Sequence, residues 1–352
     1  MRILFLTEGT TIPASRFRVG QFIPHFRDRG IECVVRPGYG DLYNQIAPTP
    51  LGAPYKLVTR LMRIVRSVDA GAFDVVFLQR PALPFTALPE QLIHSLNSRT
   101  IFDVDDAIFL APDGSDHPSA GPAFSTIVDT VEHVICGNTF LADRVDHPDK
   151  TTVIPTVIDC ERYRPADDAP GPGDDVTIGW MGTASNFHSL RIVAPVVEQF
   201  LDDHPDTRFR IVSNETFPDL AHHPRVEEIR WSSETEIPLL QSFDIGLMPL
   251  VDTPASRGKC GFKMIQYMAV GTPVISSPVG ANVDIFQGSD AGFLAGDHAA
   301  WGRALERLVD DEQHRLDCGR SARQHAVEYY SIRSVIDDYI ELFSKVASPQ
   351  SS

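Results

Sequence analysis

The sequence predicts an α/β protein of two doubly wound domains facing a cleft, and three observations carry that prediction. Short apolar runs alternate with helical patterns along the whole chain, as in parallel sheets whose strands are joined by crossover helices. The alternation breaks at 166–175, where A-D-D-A-P-G-P-G-D-D holds no apolar residue large enough to anchor a core. A chain of 352 residues also exceeds one comfortable core and suits two domains of roughly 150 to 180 residues each.

Taken in order, the apolar runs at 3–6, 33–35, 75–78, 101–104, 134–136 and 153–154 read as buried strands of a first sheet. Those at 176–180, 209–212, 226–229, 243–249 and 273–276 read as a second. The expected division is an N-terminal domain over 1–165, a linker over 166–175 and a C-terminal domain over 176–330. The last segment, 331–347, has Ser331 where an N-cap belongs and Val335, Ile336, Tyr339, Ile340 and Phe343 on one stripe. It is an amphipathic helix in need of a partner. Open sheets of this kind bind ligands beyond the carboxyl ends of their strands, so candidate site residues are sought there.

The formal net charge of -16 argues against a nucleic-acid binder, which needs a basic surface to neutralise phosphates. The charge is unevenly spread: residues 1–66 hold ten Arg or Lys against four Asp or Glu, a net of +6, so the remainder carries -22. A basic region on an acidic background points to an anionic ligand, acceptor or membrane surface at the N-terminal part. Five scattered cysteines lack C-x-x-C spacing and read as reduced packing residues. No run approaches the roughly 18 apolar residues of a membrane span, and the expected compartment is cytoplasmic.

The densest chemistry lies in 257–275, R-G-K-C-G-F-K-M-I-Q-Y-M-A-V-G-T-P-V-I. After a buried strand, a basic loop broken by Gly258 and Gly261 opens a helix on which Phe262, Ile265, Met268 and Ala269 recur at helical spacing. Glycine lets main-chain amides approach a ligand closely, Lys259 and Lys263 supply cationic donors, and the helix N-terminus adds its positive end. A diphosphate fits that description. The alternative, lysines that merely open a helix, sits poorly with a dipole that repels cations there.

Five stretches then resemble one family in order along the chain: I-P-T-V-I-D-C-E-R-Y-R-P, I-G-W-M-G-T, F-D-I-G-L-M-P-L, the G-K-C-G-F-K-M-I-Q-Y-M-A-V-G-T-P-V loop and helix, and S-P-V-G-A-N. The chain resembles the retaining GT-B glycosyltransferases of family four, the glycosyl transferases group 1. The resemblance implies two Rossmann-like domains, a nucleotide-sugar donor on the C-terminal one, an acceptor on the N-terminal one, and a terminal helix that crosses back to the first domain. It also places Gln266 where the family usually has a glutamate that contacts the nucleotide ribose. Gly258, eight residues earlier, falls where the first glutamate of the pair belongs, so neither carboxylate is present.

On this reading Lys263 and Lys259 stabilise the leaving diphosphate, and no metal or other cofactor is expected. Donor contacts are expected from Gly258, Gly261, Phe262 and Gln266, from Gly182, Thr183 and Asn186 after the strand ending near Trp180, and from Trp231 beside the base. The family often has an Arg and a Lys against the diphosphate in the 182–188 loop, and this chain has neither. In the N-terminal domain Asp103, Asp105 and Asp106 cluster at a strand end, where Asp103 or Asp106 is expected to position or activate an acceptor hydroxyl and Asp105 to line the acceptor. Gly9, Arg16 and Arg18 follow the first strand as candidate phosphate contacts. The 55–68 segment sets Lys56, Arg60, Arg63 and Arg66 beside a broad apolar stripe, which reads either as a packed helix with a solvated face or as peripheral contact with an anionic membrane.

The expectation is a transferase moving a sugar from a nucleotide diphosphate to a polysaccharide, glycolipid or other envelope acceptor, cytoplasmic or peripheral at the inner membrane face. Two alternatives stand beside it. One is a scaffold of this fold that binds a sugar nucleotide or a partner without catalysis; the other is a sugar-nucleotide epimerase that needs no acceptor.

Overall fold

Two sheets of six parallel strands organise the chain in a computed structural model that describes residues 1–40, 46, 49–111, 113–167 and 175–348. The first contains β1 (Arg2–Gly9), β2 (Glu32–Tyr39), β3 (Val75–Gln79), β4 (Thr100–Val104), β5 (His133–Cys136) and β6 (Thr151–Val153) in the spatial order β2-β1-β3-β4-β5-β6. The second contains β7 (Val176–Met181), β8 (Thr207–Ser213), β9 (Val226–Arg230), β10 (Ile245–Met248), β11 (Val274–Ser276) and β12 (Gly292–Leu294) in the order β12-β11-β10-β7-β8-β9. Both are doubly wound orders, with a reversal between β1 and β3 in one sheet and between β7 and β10 in the other. Such reversals open the crevices in which ligands of these sheets sit.

Central strands β3 and β4 are buried at every position, which is why they read as mostly apolar runs. Edge strand β9, V-E-E-I-R, is largely solvent-facing and charged, a composition that blunts pairing with another chain. β12 escaped the sequence reading because it has three residues and begins with Gly292.

The chain divides into two compact units. One comprises Met1–Val157, the short Gly258–Cys260 segment and the chain from Val335 onwards; the other comprises Ile158–Arg257 and Gly261–Ser334. In the first, the helix Ile332–Ala347 brings Tyr339 and Phe343 against Phe22 and Phe26. Phe343 also meets Phe5 and Phe77 of β1 and β3. Apolar positions spaced three and four apart thus find the partner that an amphipathic helix requires. In the second unit Gly179 and Gly246 stand side by side in β7 and β10, and the rings of Phe243 and Tyr267 fill the space over them. Of the expected linker 166–175, residues 168–174 lie outside the described residues.

Candidate functional site

In the second unit the site grows from the crevice between β7 and β10. The helix Phe262–Ala269 is anchored beside β7 by Tyr267, whose hydroxyl accepts the Met181 N–H at 2.9 Å. Its N-cap, Gly261, has φ of 61° and no room for a side chain, since an added Cβ would come within 2.3 Å of Ile285 Cδ1. Only glycine adopts that conformation at low cost. Beyond the cap, Lys263 reaches the end of β7: its ammonium lies 5.4 Å from the Trp180 ring centroid, close enough for a cation–π contact. An added Cβ at Gly182 would meet Trp180 at 2.7 Å and the Lys263 side chain at 2.9 Å. Gly182 therefore lets the lysine stem cross the strand end.

Next to it Thr183, Ser185 and Asn186 form a hydrogen-bonded turn, with Thr183 Oγ1 and Ser185 Oγ 2.8 Å apart and Asn186 Nδ2 donating to Thr183 Oγ1 at 3.0 Å. None of them caps the following helix Phe187–Asp203 with its side chain. Phe262 is half-buried at the start of its helix. Gln266, one turn after Lys263, donates its amide to Glu236 Oε1 at 3.4 Å. Trp231 donates its indole N–H to Glu236 Oε2 at 3.1 Å. Two expected donor contacts thus share one buried carboxylate that sequence reasoning passed over. The signal was present in W-S-S-E-T-E, an acidic pair beside a tryptophan just after a strand.

In the first unit the polar groups gather at the ends of β1, β3 and β4. Arg80, with φ of 58°, faces three carboxylates: Asp105 at 2.7 Å, Glu8 at 3.4 Å and Asp106 at 3.7 Å. Burial works against the Asp105 charge, but Arg80 outweighs it and holds that carboxyl below its usual range. Asp106 is different, because burial raises its pKa despite Arg80. Burial also lowers the Lys259 pKa, with Asp106 pulling the other way. The sequence reading overlooked Arg80, although L-Q-R-P puts an arginine directly after a fully buried strand.

Several expected site residues are spent on structure. Arg18 and Asp103 are both fully buried and pair with each other, and Arg18 also donates to the Ile154 carbonyl at 2.8 Å. Each side chain is therefore enclosed and engaged by the other. The Gly9 N–H already donates to Ser15 Oγ at 3.1 Å, and Ile12 and Tyr39 pack against its α-carbon. That amide is therefore not open to a phosphate. Arg16 lies over the Phe17 ring, 4.8 Å from its centroid.

At Gly258 an added Cβ would sit 2.5 Å from Ala107 Cβ, so no glutamate fits here. Asn138 Nδ2 holds the carbonyls of Gly258 and Lys259 at 3.2 and 3.1 Å. Lys259 thus belongs with Asp106 in the first unit and Lys263 with Gly182 in the second.

The helix Gly52–Val65 is turned the opposite way to a simple covering helix. Arg63 is buried and donates to the carbonyls of Leu6 and Gln79 at 2.6 Å, Arg80 at 3.0 Å and Pro81 at 3.3 Å. It is therefore not a surface cation. Arg66 donates to the Pro37 carbonyl. Leu57, Val58, Leu61, Met62 and Val65 face outward, Val58 and Val65 each 58% exposed. Among the described residues no helix is long and apolar enough to cross a membrane, and no group of three or more His, Cys, Asp or Glu is placed to hold a metal ion.

Residues 175–311 match the family described as Glycosyl transferases group 1. A D-inositol 3-phosphate glycosyltransferase of Corynebacterium aurimucosum is 25% identical over 217 residues, 53% of this chain and 50% of that protein. One of Gordonia bronchialis is 33% identical over 98 residues, 27% of this chain and 21% of that protein. The chain spans about half the length of the first of these curated relatives. Among solved structures, Anabaena HepE in complex with UDP-glucose superposes with a TM-score of 0.72 at 14% identity, covering 98% of this chain and 100% of that one. A glycosyltransferase of Rickettsia africae gives 0.71 at 13% identity, covering 100% and 99%. The 175–311 segment is thus similar to the glycosyl transferases group 1, and the chain carries the GT-B fold of its solved structural neighbours.

Proposed function

We propose that the protein transfers a hexosyl group from a nucleoside diphosphate sugar to a hydroxyl of a saccharide or lipid-linked acceptor, with retention and without a metal. The observation that carries this reading is the Lys263 side chain laid across Gly182 at the crevice between β7 and β10. An ammonium and a glycine-capped helix N-terminus form there a receptor for a departing diphosphate. Asp106, raised by burial and standing beside Arg80 and Lys259, is the acceptor-side carboxylate in this reading. UDP-glucose is the first donor to try, because HepE binds it on the same fold.

A thermal-shift panel of UDP, GDP, ADP and TDP, each with a matching sugar, tests the donor. A ligand at a hundredfold excess over its Kd adds about 2.7 kcal/mol to stability, a clear rise in Tm. We expect one base to give that rise; no response to any of the four would overturn the reading. Release of free nucleoside diphosphate in the presence of acceptor separates transfer from a scaffold that only binds, the alternative that Gly258 and Gln266 favour. An epimerase would turn over sugar nucleotide with no acceptor present.

A lipid-linked acceptor accords with the outward apolar face of Gly52–Val65, flanked by Lys56 and Arg60. An apolar helix face edged with cations lies in an anionic interface, and its electrostatic part is screened by salt. Vesicles containing a third phosphatidylserine or phosphatidylglycerol are expected to co-float the protein, less so at 0.5 M salt and less still for Val58→Glu/Val65→Glu. Equal flotation of that variant would remove the helix from the contact.

A further inference from the structure

In the second unit one carboxylate is enclosed by donors from three separate segments. Glu236 opens the short helix Glu236–Gln241 and is only 3% exposed. Its Oε1 accepts from the Tyr163 hydroxyl and from Gln266 Nε2 at 3.4 Å, and its Oε2 accepts from Trp231 Nε1 at 3.1 Å. A buried carboxyl group is tolerated when it is this fully hydrogen-bonded. The pattern has a chemical consequence for Gln266. A side-chain amide can present either its oxygen or its nitrogen outward, and a carboxylate accepts hydrogen bonds but cannot donate them. With Glu236 behind it, Gln266 must turn Nε2 inward and leave Oε1 as the outward atom.

We propose that Glu236 is a positioning residue of the donor site, which fixes the Gln266 amide so that Oε1 accepts a hydroxyl flanking the donor's diphosphate, and holds Trp231 beside it. This rests on the donor reading above. Gln266 lies three positions beyond Lys263, on the same helix face and about 5–6 Å away between Cβ atoms. If Lys263 takes the diphosphate, hydroxyls of the groups bonded to that diphosphate are within reach of Gln266. Both the ribose and the transferred sugar carry them. A buried carboxylate behind a neutral amide thus does the work of orienting an acceptor without bringing a second negative charge near the phosphates.

Exchanging the two side chains tests the assignment, because each single change breaks the donor pattern and the double change restores it. In Glu236→Gln, an amide nitrogen now faces Gln266; Gln266 flips to accept from it and presents a donor outward. In Gln266→Glu two carboxylates meet at hydrogen-bond distance and repel unless they share a proton. In the double variant Glu236→Gln/Gln266→Glu, the amide nitrogen introduced at position 236 donates to the carboxylate introduced at position 266 and to the Tyr163 oxygen. The oxygen of that amide still accepts from Trp231, and only the Tyr163 hydroxyl proton gives up its acceptor at position 236.

The probes are UDP and UDP-glucose, or the corresponding pair for whichever base the panel identifies, with Kd measured calorimetrically at pH 5.5 and 8. We expect Glu236→Gln to weaken binding about tenfold at both pH values. Gln266→Glu should weaken it more at pH 8 than at pH 5.5, where the pair shares a proton. The double variant should bind more tightly than the weaker single but short of the parent, because the carboxylate at position 266 then stands nearer the phosphates. A loss already seen with UDP assigns the hydroxyl to the ribose; a loss confined to UDP-glucose assigns it to the sugar. Unchanged binding in Glu236→Gln, or a double variant no better than the weaker single, overturns the proposal. So does loss of folding in all three variants, which would make Glu236 a core group only. Failure of the parent protein to bind any nucleotide would instead overturn the donor reading itself.

Discussion

Lys263→Ala is expected to lower turnover at least a hundredfold while the protein stays folded. The ammonium stands over Trp180, 5.4 Å from the ring centroid, at the crevice where a bond to diphosphate would break. A preorganised donor aimed at charge that develops in the transition state is worth about 3 to 4 kcal/mol, or 10² to 10³ in rate. Alanine is the best helix former, so the helix Phe262–Ala269 itself loses nothing by the change. Giving up the cation–π attraction to Trp180 costs only about 0.5–2 kcal/mol of stability. The measurement is steady-state release of nucleoside diphosphate with the donor found by thermal shift, alongside a melting curve. A fall in kcat with Kd for the nucleotide changed less than tenfold marks a group that acts in the transition state. Turnover within threefold of the parent would remove Lys263 from the mechanism.

What the sequence makes legible here is whatever leaves a periodic or compositional trace. Fully buried strands such as β3 and β4 are dominated by apolar residues, and the Phe262–Ala269 helix announces itself through its spacing and its glycine cap. β12 was missed because three residues led by a glycine carry no periodicity. Side-chain pairing is less legible, since partners lie far apart in the chain. Arg18 and Asp103 each looked like a solvent-facing charge near a strand end, and nothing local shows that 85 residues of separation close into one buried pair. Glu236 was hidden for the same reason, its donors coming from Tyr163, Trp231 and Gln266. The Gly52–Val65 stripe was legible as amphipathic, but which face turns inward depends on Arg63 finding four carbonyls at the end of β1 and just past β3.

The buried pair sets the second large effect. Asp103→Ala is expected to destabilise the first unit by about 3–5 kcal/mol, because it leaves the Arg18 guanidinium buried with its charge uncompensated. Burial works against that charge, and the Asp103 carboxylate beside it more than offsets the burial and keeps Arg18 protonated. Exposed pairs such as Arg164–Asp167 are screened by water and contribute little, which makes them a useful contrast. The two differ in solvent, since side-chain exposure is 1% and 0% for Arg18 and Asp103 but 53% and 75% for Arg164 and Asp167. Removing both members with Arg18→Met/Asp103→Leu should recover a large part of the loss, because the desolvation cost goes with the charge. The recovery will be incomplete, since the Ile154 carbonyl then loses the donor that holds it at 2.8 Å. Urea unfolding of the parent, both singles and the double gives the coupling energy directly. A loss below about 1 kcal/mol for Asp103→Ala would mean that Arg18 reaches water on substitution and that the pair is not the closed unit its burial implies.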